Sequence, residues 1–286
     1  MNREEEAFLI AIREDPDDTG KRLIFADWLE ENARSDNDYA ARAEFIRVQC
    51  ELARMDRKDP HLADKSYTLQ KQFAAEYKEF EKDGIKILRW ERGFPMEIQI
   101  NGSRTRPEYK LTGPPEHESI PTEKLVSAFE RICNIAPIKC VKISGDFCDN
   151  QLTALGQSDT WLKIKSMTTY SHNQAILFQS DKLKNVEHIN LLLSGYSVDD
   201  IGVDTEAGLQ AIARNPHLRN LKTLDCSEHD TLDRAFSRTY RTAIESIATS
   251  PNLPKLQNII LNQAHCSAAF LGRVKAALAG RHRGQQ

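Results

Sequence analysis

The sequence predicts an α/β protein: a small helical domain at the N-terminus, then a short, irregular solenoid with parallel strands on one side and helices on the other. Three observations carry that expectation. Apolar residues recur at helical spacing from Glu4 to about Phe80, with few Gly or Pro between the breaks. An apolar template, L-x-x-L-x-x-L-x-L, fits five times further along. Its last two intervals are both 35 residues, a coincidence chance rarely produces.

Four helices are expected in the first part. The first sets Phe8 and Ile12 one turn apart and stops at Asp15-Pro16, because the residue before proline is pushed out of the helical region. Asp17, Asp18 and Thr19 offer oxygens to cap the second helix, Arg22 to Glu31, with Ile24 and Trp28 on one face and Phe25 and Leu29 beside them. That wide apolar stripe marks it as the central helix. The third runs from about Tyr39 to Met55 with Ala41, Phe45, Val48 and Leu52 inward. The fourth follows Asp59-Pro60, turns Leu62, Leu69, Phe73, Tyr77 and Phe80 inward, and ends near Gly84.

The separated words Glu6-Ala7-Phe8-Leu9-Ile10-Ala11-Ile12, Asp15-Pro16-Asp17-Asp18, Arg22 through Glu31 and Arg42 through Leu52 stand in an order that resembles the bacterial repeat-companion domain. The resemblance covers roughly the first 55 residues and extends to Trp90-Glu91-Arg92-Gly93-Phe94-Pro95, which looks like the segment joining that domain to its repeats. The family sits beside repeat regions, commonly leucine-rich repeats. It implies an architecture and assigns no activity to individual residues.

The five fits of the template are Ile135, Ile138, Val141, Ile143; Trp161, Ile164, Met167, Thr169; Leu183, Val186, Ile189, Leu191; Leu218, Leu221, Leu224, Cys226; and Leu253, Leu256, Ile259, Leu261. The intervals are 26, 22, 35 and 35 residues. Helical stretches precede the strands, clearest in Gly208 to Pro216 and Ala243 to Pro251, which align at the 35-residue offset down to the proline. A helix, a turn and a short strand per unit is similar to ribonuclease-inhibitor-like leucine-rich repeats, in degenerate form. Trp161 and Thr169 occupy apolar places, and the asparagine that normally ladders after the strand is missing from most units. Such units leave an apolar face bare and must stack, with the N-terminal helices capping one end and a helix over Ala268 to Ala279 covering the other.

The expected divisions are a helical domain over residues 1–89, a leucine-rich-repeat-like solenoid over 90–280 and a disordered tail over 281–286. A Pro-rich loop over about 101–121 interrupts the solenoid, and a second insertion from Ser194 to Thr205 is read as a loop.

Strand side chains alternate, so the template residues point into the core and their neighbours form the concave face. That face is Lys142, Thr168, Asn190, Asp225 and Ile260, flanked by Cys140, Ser166, His188, Thr223 and Asn258. It is read as the surface for a protein partner whose identity the residues do not give. Asp27 is expected to pair with an arginine such as Arg47 instead of acting as a catalytic carboxylate. Asp225, Glu228, His229 and Asp230 have metal-ligand chemistry without metal-motif spacing. Cys133, Cys140 and Cys148 are expected to be buried thiols.

A net charge of -3, from 39 basic and 42 acidic residues, provides no basic field for nucleic acid. Glu4-Glu5-Glu6 stands where a secretion leader carries basic residues, no apolar run is long enough to span a bilayer, and six scattered cysteines form no C-x-x-C pair. The chain therefore reads as cytoplasmic, without a metal or cofactor and without catalytic residues, since no Gly-rich phosphate loop, G-x-S-x-G or H-E-x-x-H occurs. The function expected is that of a non-enzymatic interaction module or adaptor. The alternatives are a regulatory subunit or enzyme with a site assembled from scattered residues, and a nucleic-acid binder using Arg104, Arg106 and the tail.

Overall fold

The structure, a computed structural model, describes residues 3–33, 37–57, 59–104, 118–145, 147–170, 173–192, 201–227, 238–262 and 266–283. The chain is α/β, and it divides into two compact units: Met1–Gln99 with Ala128–Lys139, and Ile100–Ser127 with Cys140–Gln286. The division passes through one helix, Thr122–Ile135.

The first unit opens with helices α1 (Arg3–Glu14), α2 (Thr19–Asn32), α3 (Asn37–Leu52) and α4 (Pro60–Ala74). Asp18 caps α2 by accepting the Gly20 N–H at 2.7 Å, and Asp59 caps α4 by accepting the His61 N–H at 2.8 Å, with Pro60 in the first turn, where its missing N–H costs nothing. Phe25, Ala26 and Leu29 of α2 are buried with Leu9, Ile12, Ala43 and Ile46. Ile24, expected on the buried face, is 60 % exposed. The inward stripe runs through positions 22, 25, 26 and 29, and Arg22 takes the place expected of Ile24. The expected fourth helix is broken: α4 stops at Ala74, a 3-10 turn covers Ala75–Tyr77, and α5 covers Lys78–Lys82.

In place of the expected joining segment, strands β1 (Ile85–Glu91) and β2 (Phe94–Ile100) form a hairpin. Its two turn residues both have positive φ, Arg92 at 50° and Gly93 at 85°, as a tight hairpin of right-handed twist requires. A Cβ on Gly93 would also come within 2.8 Å of the Ile46 backbone, so only glycine fits there. Arg22 is fully buried beneath this turn. Its guanidinium donates to the Pro16 carbonyl at 2.7 Å and the Arg92 carbonyl at 3.2 Å, and lies 5.2 Å from the centre of the Phe94 ring. Burial pulls its pKa down to about 10, the cost of keeping the charge inside.

The second unit begins with a two-stranded ribbon, β3 (Ser103–Arg104) with β4 (Glu118–Ser119), then the start of helix α6 (Thr122–Ile135), whose residues from Ala128 on belong to the first unit. The side chain of Gln151 holds the base of the ribbon, donating to the carbonyls of Gly102 and Ile120 at 3.0 and 2.7 Å. Five parallel strands follow: β5 (Cys140–Ser144), β6 (Ser166–Tyr170), β7 (His188–Leu191), β8 (Thr223–Cys226) and β9 (Asn258–Leu261). Between them lie helices α7 (Asp149–Gln157), α8 (Gln174–Leu177), α9 (Ile201–Arg214) and α10 (Arg238–Thr249), with α11 (Ala268–Arg283) packed on α10. Two expectations are corrected here. Residues 201–205, expected in a loop, belong to α9; the tail expected from residue 281 is helical through Arg283.

Successive strand–helix units are tied by a polar series at fixed positions. Ser158, Ser180, Asn215 and Ser250 each stand nine residues before an inward strand residue, at intervals of 22, 35 and 35. Each accepts the backbone N–H two residues on, starting the turn into its strand: Thr160, Lys182, His217 and Asn252, at 3.3, 3.0, 2.8 and 3.2 Å. The last three also donate backwards, into carbonyls of the unit before. Ser180 reaches Gly156, Asn215 reaches Phe178 and Ser180 at 2.7 and 2.9 Å, and Ser250 reaches Ala213 at 2.5 Å. For the carbonyls of Ile247, Ala248, Ser250 and Leu253, the guanidinium of Arg281 takes that place, at 2.8, 2.7, 2.8 and 2.6 Å.

Asn215 is buried and makes three of these bonds, whereas Asn220, closer to the surface, donates once to the preceding unit, to the Lys184 carbonyl at 2.7 Å. Asn215→Ala should therefore cost about 2–3 kcal/mol in urea unfolding, since buried carbonyls lose their donor, while Asn220→Ala should cost below about 1 kcal/mol. Equal small losses would show that the series carries no stability.

Candidate functional site

The register of the five strands sorts their side chains by face. Val141, Met167, Ile189, Leu224 and Ile259 stand opposite one another and point inward; the first four are buried and Ile259 is half-buried at the last strand. The out-of-pattern members of the template are accommodated by hydrogen bonds: Trp161 is buried and donates its Nε1–H to the Leu155 carbonyl at 2.8 Å, and the buried Thr169 hydroxyl donates to Gln174 Oε1 at 3.2 Å.

The opposite face holds two registered rows. Lys142, Thr168, Asn190, Asp225 and Ile260 are consecutive partners across the sheet, and so are Cys140, Ser166, His188, Thr223 and Asn258. At about 4.8 Å per strand these rows run roughly 19 Å. His188, Asn258 and Ile260 are exposed and the others half-buried. The surface is mostly neutral and hydrogen-bonding, with Lys142 and Asp225 as its charges. Asp225 Oδ1 accepts the Ser227 N–H at 2.9 Å, which fixes the carboxylate. Asn190, on the middle strand, has a buried Oδ1 with no hydrogen-bond donor among the described residues. A buried acceptor left unpaired costs stability.

One residue before the strands, Glu187 sits between Lys165, at 3.3 Å, and Lys222. Its hydrogen bond to Lys222 is the main reason its carboxyl lies below the ordinary range. These charges are spent on one another along this edge of the face.

Arg47 reaches Asp27 at 2.7 Å and Glu30 at 2.6 Å, an exposed ionic cluster on α2 and α3 that includes the expected pairing. Of the proposed metal-ligand types, Asp225 is described and Glu228, His229 and Asp230 lie outside the described residues; among the described residues no group of three His, Cys, Asp or Glu is placed to hold a metal ion. Cys133 is buried and Cys140 half-buried, but Cys148, expected to be buried, is exposed at the start of α7. Arg106 lies outside the described residues, and Arg104 is in β3. No helix among the described residues is long and apolar enough to cross a membrane. A groove of about 560 Å³ on the helix side, which the sequence did not single out, runs between α9 and α10 past Glu206, Gln210, Arg214, Thr242 and Ser246. Gln210 already bonds Glu206 at 2.9 Å, and no buried ionisable group among the described residues points into it.

Cys226 ends β8 on the inward side, and burial raises its thiol from 9.0 to about 12; burial also raises the neighbouring Tyr240 phenol. Such a thiol is no nucleophile at neutral pH. The unfolded chain releases the Cys226 proton near 9.0 and the folded chain only near 12, so the folded state binds more protons in between. The stabilisation is present in full below pH 9.0 and is lost as pH rises towards about 12. Urea unfolding across that window should show falling stability with a shallower slope in Cys226→Val; an unchanged slope would contradict the burial.

Comparison with family models, curated proteins and solved structures returned no match.

Proposed function

We propose that this chain is a non-enzymatic protein-interaction module, with a helical domain of the repeat-companion kind beside a degenerate leucine-rich-repeat-like solenoid, and that its partner docks on the strand face. The single observation that carries this reading is the pair of registered rows, which places Lys142, Thr168, Asn190, Asp225 and Ile260 in one line and Ser166, His188, Thr223 and Asn258 in another. A set of neutral donors and acceptors in register across a sheet suits recognition of another protein's polar surface. In the second row Ser166 and Thr223 stand on either side of His188, and among the described residues no hydrogen bond joins either hydroxyl to the imidazole, the link that would activate a nucleophile. Six free cysteines fit residence in a reducing, cytoplasmic compartment.

The solenoid reading is supported by the intervals of 22, 35 and 35 residues that the inward residues from Met167 on share with the Ser158, Ser180, Asn215 and Ser250 series. The companion-domain reading is supported by the words around Phe8, Asp27 and Arg47, whose side chains supply an aromatic contact and an ion pair of the first unit: Phe8 lies 5.3 Å from Phe25, and Arg47 binds Asp27.

The test is affinity capture from host lysate with the wild type and with a Lys142→Glu, Asn190→Lys, Asp225→Lys variant whose circular dichroism is unchanged. The expected result is a protein retained by the wild type and reduced at least ten-fold by the variant, which corresponds to about 1.4 kcal/mol. Equal recovery by both, or an empty capture by the wild type, would contradict the proposal.

A further inference from the structure

We infer that β9 is a self-association edge, through which two copies of this chain pair strand to strand in antiparallel orientation. It is the last strand in the sheet order, and its ladder partner on one side is β8. The Asn258 N–H donates to the Lys222 carbonyl at 3.0 Å, and the alternation of a strand then turns the backbone groups of Asn258 and Ile260 towards β8 and those of Ile259 and Leu261 outwards. Among the described residues, no hydrogen bond is made by the outward N–H and C=O groups of these two residues.

Free edges are ordinarily protected by charge, proline or a bulge, because bare edges template pairing with other chains. The outer strand of the first unit's hairpin has that protection: β1 carries Lys86, Arg89 and Glu91. The stretch Asn258-Ile259-Ile260-Leu261-Asn262 has no charge, no proline and no glycine, and Ile260 is 43 % exposed.

The uncharged sequence also selects the occupant. When the strand meets a second copy about a twofold axis through Ile260, no like charges are opposed. Ile260 faces Ile260, Asn258 faces Asn262, and Ile259 faces Leu261, so each side chain remains on its own face of the joined sheet. Ile259 and Leu261 then form the hydrogen-bonded pairs in which both N–H···O bonds are exchanged, and the two Ile260 residues form the closer, non-hydrogen-bonded pair with Cα atoms about 4.5 Å apart. An edge this short buries a small area, so the dimer is weak and concentration-dependent.

The experiment is sedimentation velocity with light scattering on the full chain over a broad concentration series. The mass should rise from 32.5 kDa towards twice that value with concentration. Ile260→Lys should hold the mass at the monomer by setting two like charges face to face. Ile259→Pro should do the same, because it removes only the outward N–H and leaves the ladder to β8 intact. Ile24→Lys, at an isoleucine that is 60 % exposed elsewhere on the chain, should dimerise as the wild type does. A monomer at every concentration would overturn the inference, as would a dimer that survives Ile260→Lys, which reads out even if Ile259→Pro unfolds. Loss of the dimer in Ile24→Lys as well would also overturn it, since the association would not be specific to the edge.

Discussion

The second unit depends on a backward hydrogen bond. A strand–helix unit exposes carbonyls at the end of its helix and the start of its turn, and in a stacked arrangement these are covered by the next unit, where water cannot serve them. Ser180, Asn215 and Ser250 supply the missing donors from the following unit while their acceptor atoms begin the turn into the next strand. One residue thus satisfies the unit behind it and shapes its own. Arg281 performs the first half of that task with a guanidinium, which can reach several carbonyls at once and needs no turn of its own.

Because register is set by these turns and by the inward apolar rows, the outward rows are left with little structural duty. Val141, Met167, Ile189 and Leu224 fill the core, and a shift of one residue would carry them into solvent. Their outward neighbours are held in line as a consequence. Among the described residues, the side chains of Thr168 and Asn190 contribute no hydrogen bond to the fold, and the buried Oδ1 of Asn190 opposes it. A surface positioned by the core, with few of its side chains bonded to the fold, is the physical basis for the proposal that a partner docks on this face.

Much of this was legible from residue spacing. The inward and outward rows of the strands follow from the nine-residue template, and all five strands lie where the template sets its last apolar positions. The cap at Asp18 follows from local chemistry, and the pairing of Asp27 with Arg47 from the exposed helix faces that carry them. What escaped was non-local. Arg22 reads as a surface residue of an amphipathic helix until a turn 70 residues away places the Arg92 carbonyl above it, which is also why Ile24 is left outside. The hairpin is hidden in the sequence because Arg92-Gly93 is a weaker turn signal than Asn-Gly, and the family resemblance suggests only a joining segment there. The asparagine that normally ladders after the strand is missing from most units, whereas the polar series, at intervals of 22 and 35 residues, lies before the strand and mixes Ser with Asn. The helical end of the chain escapes for a similar reason: Arg281-His282-Arg283 has the composition of a tail, and only the uncovered carbonyls of α10 give Arg281 a place.

The claim that the strand face is reserved for binding is tested most directly by comparing the stability of outward and inward substitutions on the same strands. If the face is so reserved, the combined Lys142→Ala, Thr168→Ala, Asn190→Ala variant unfolds in urea within about 1 kcal/mol of the wild type, while Ile189→Ala alone costs about 2–5 kcal/mol. A loss of several kcal/mol in the outward variant would mean that these residues hold the fold together, and the face would then have no need of a partner.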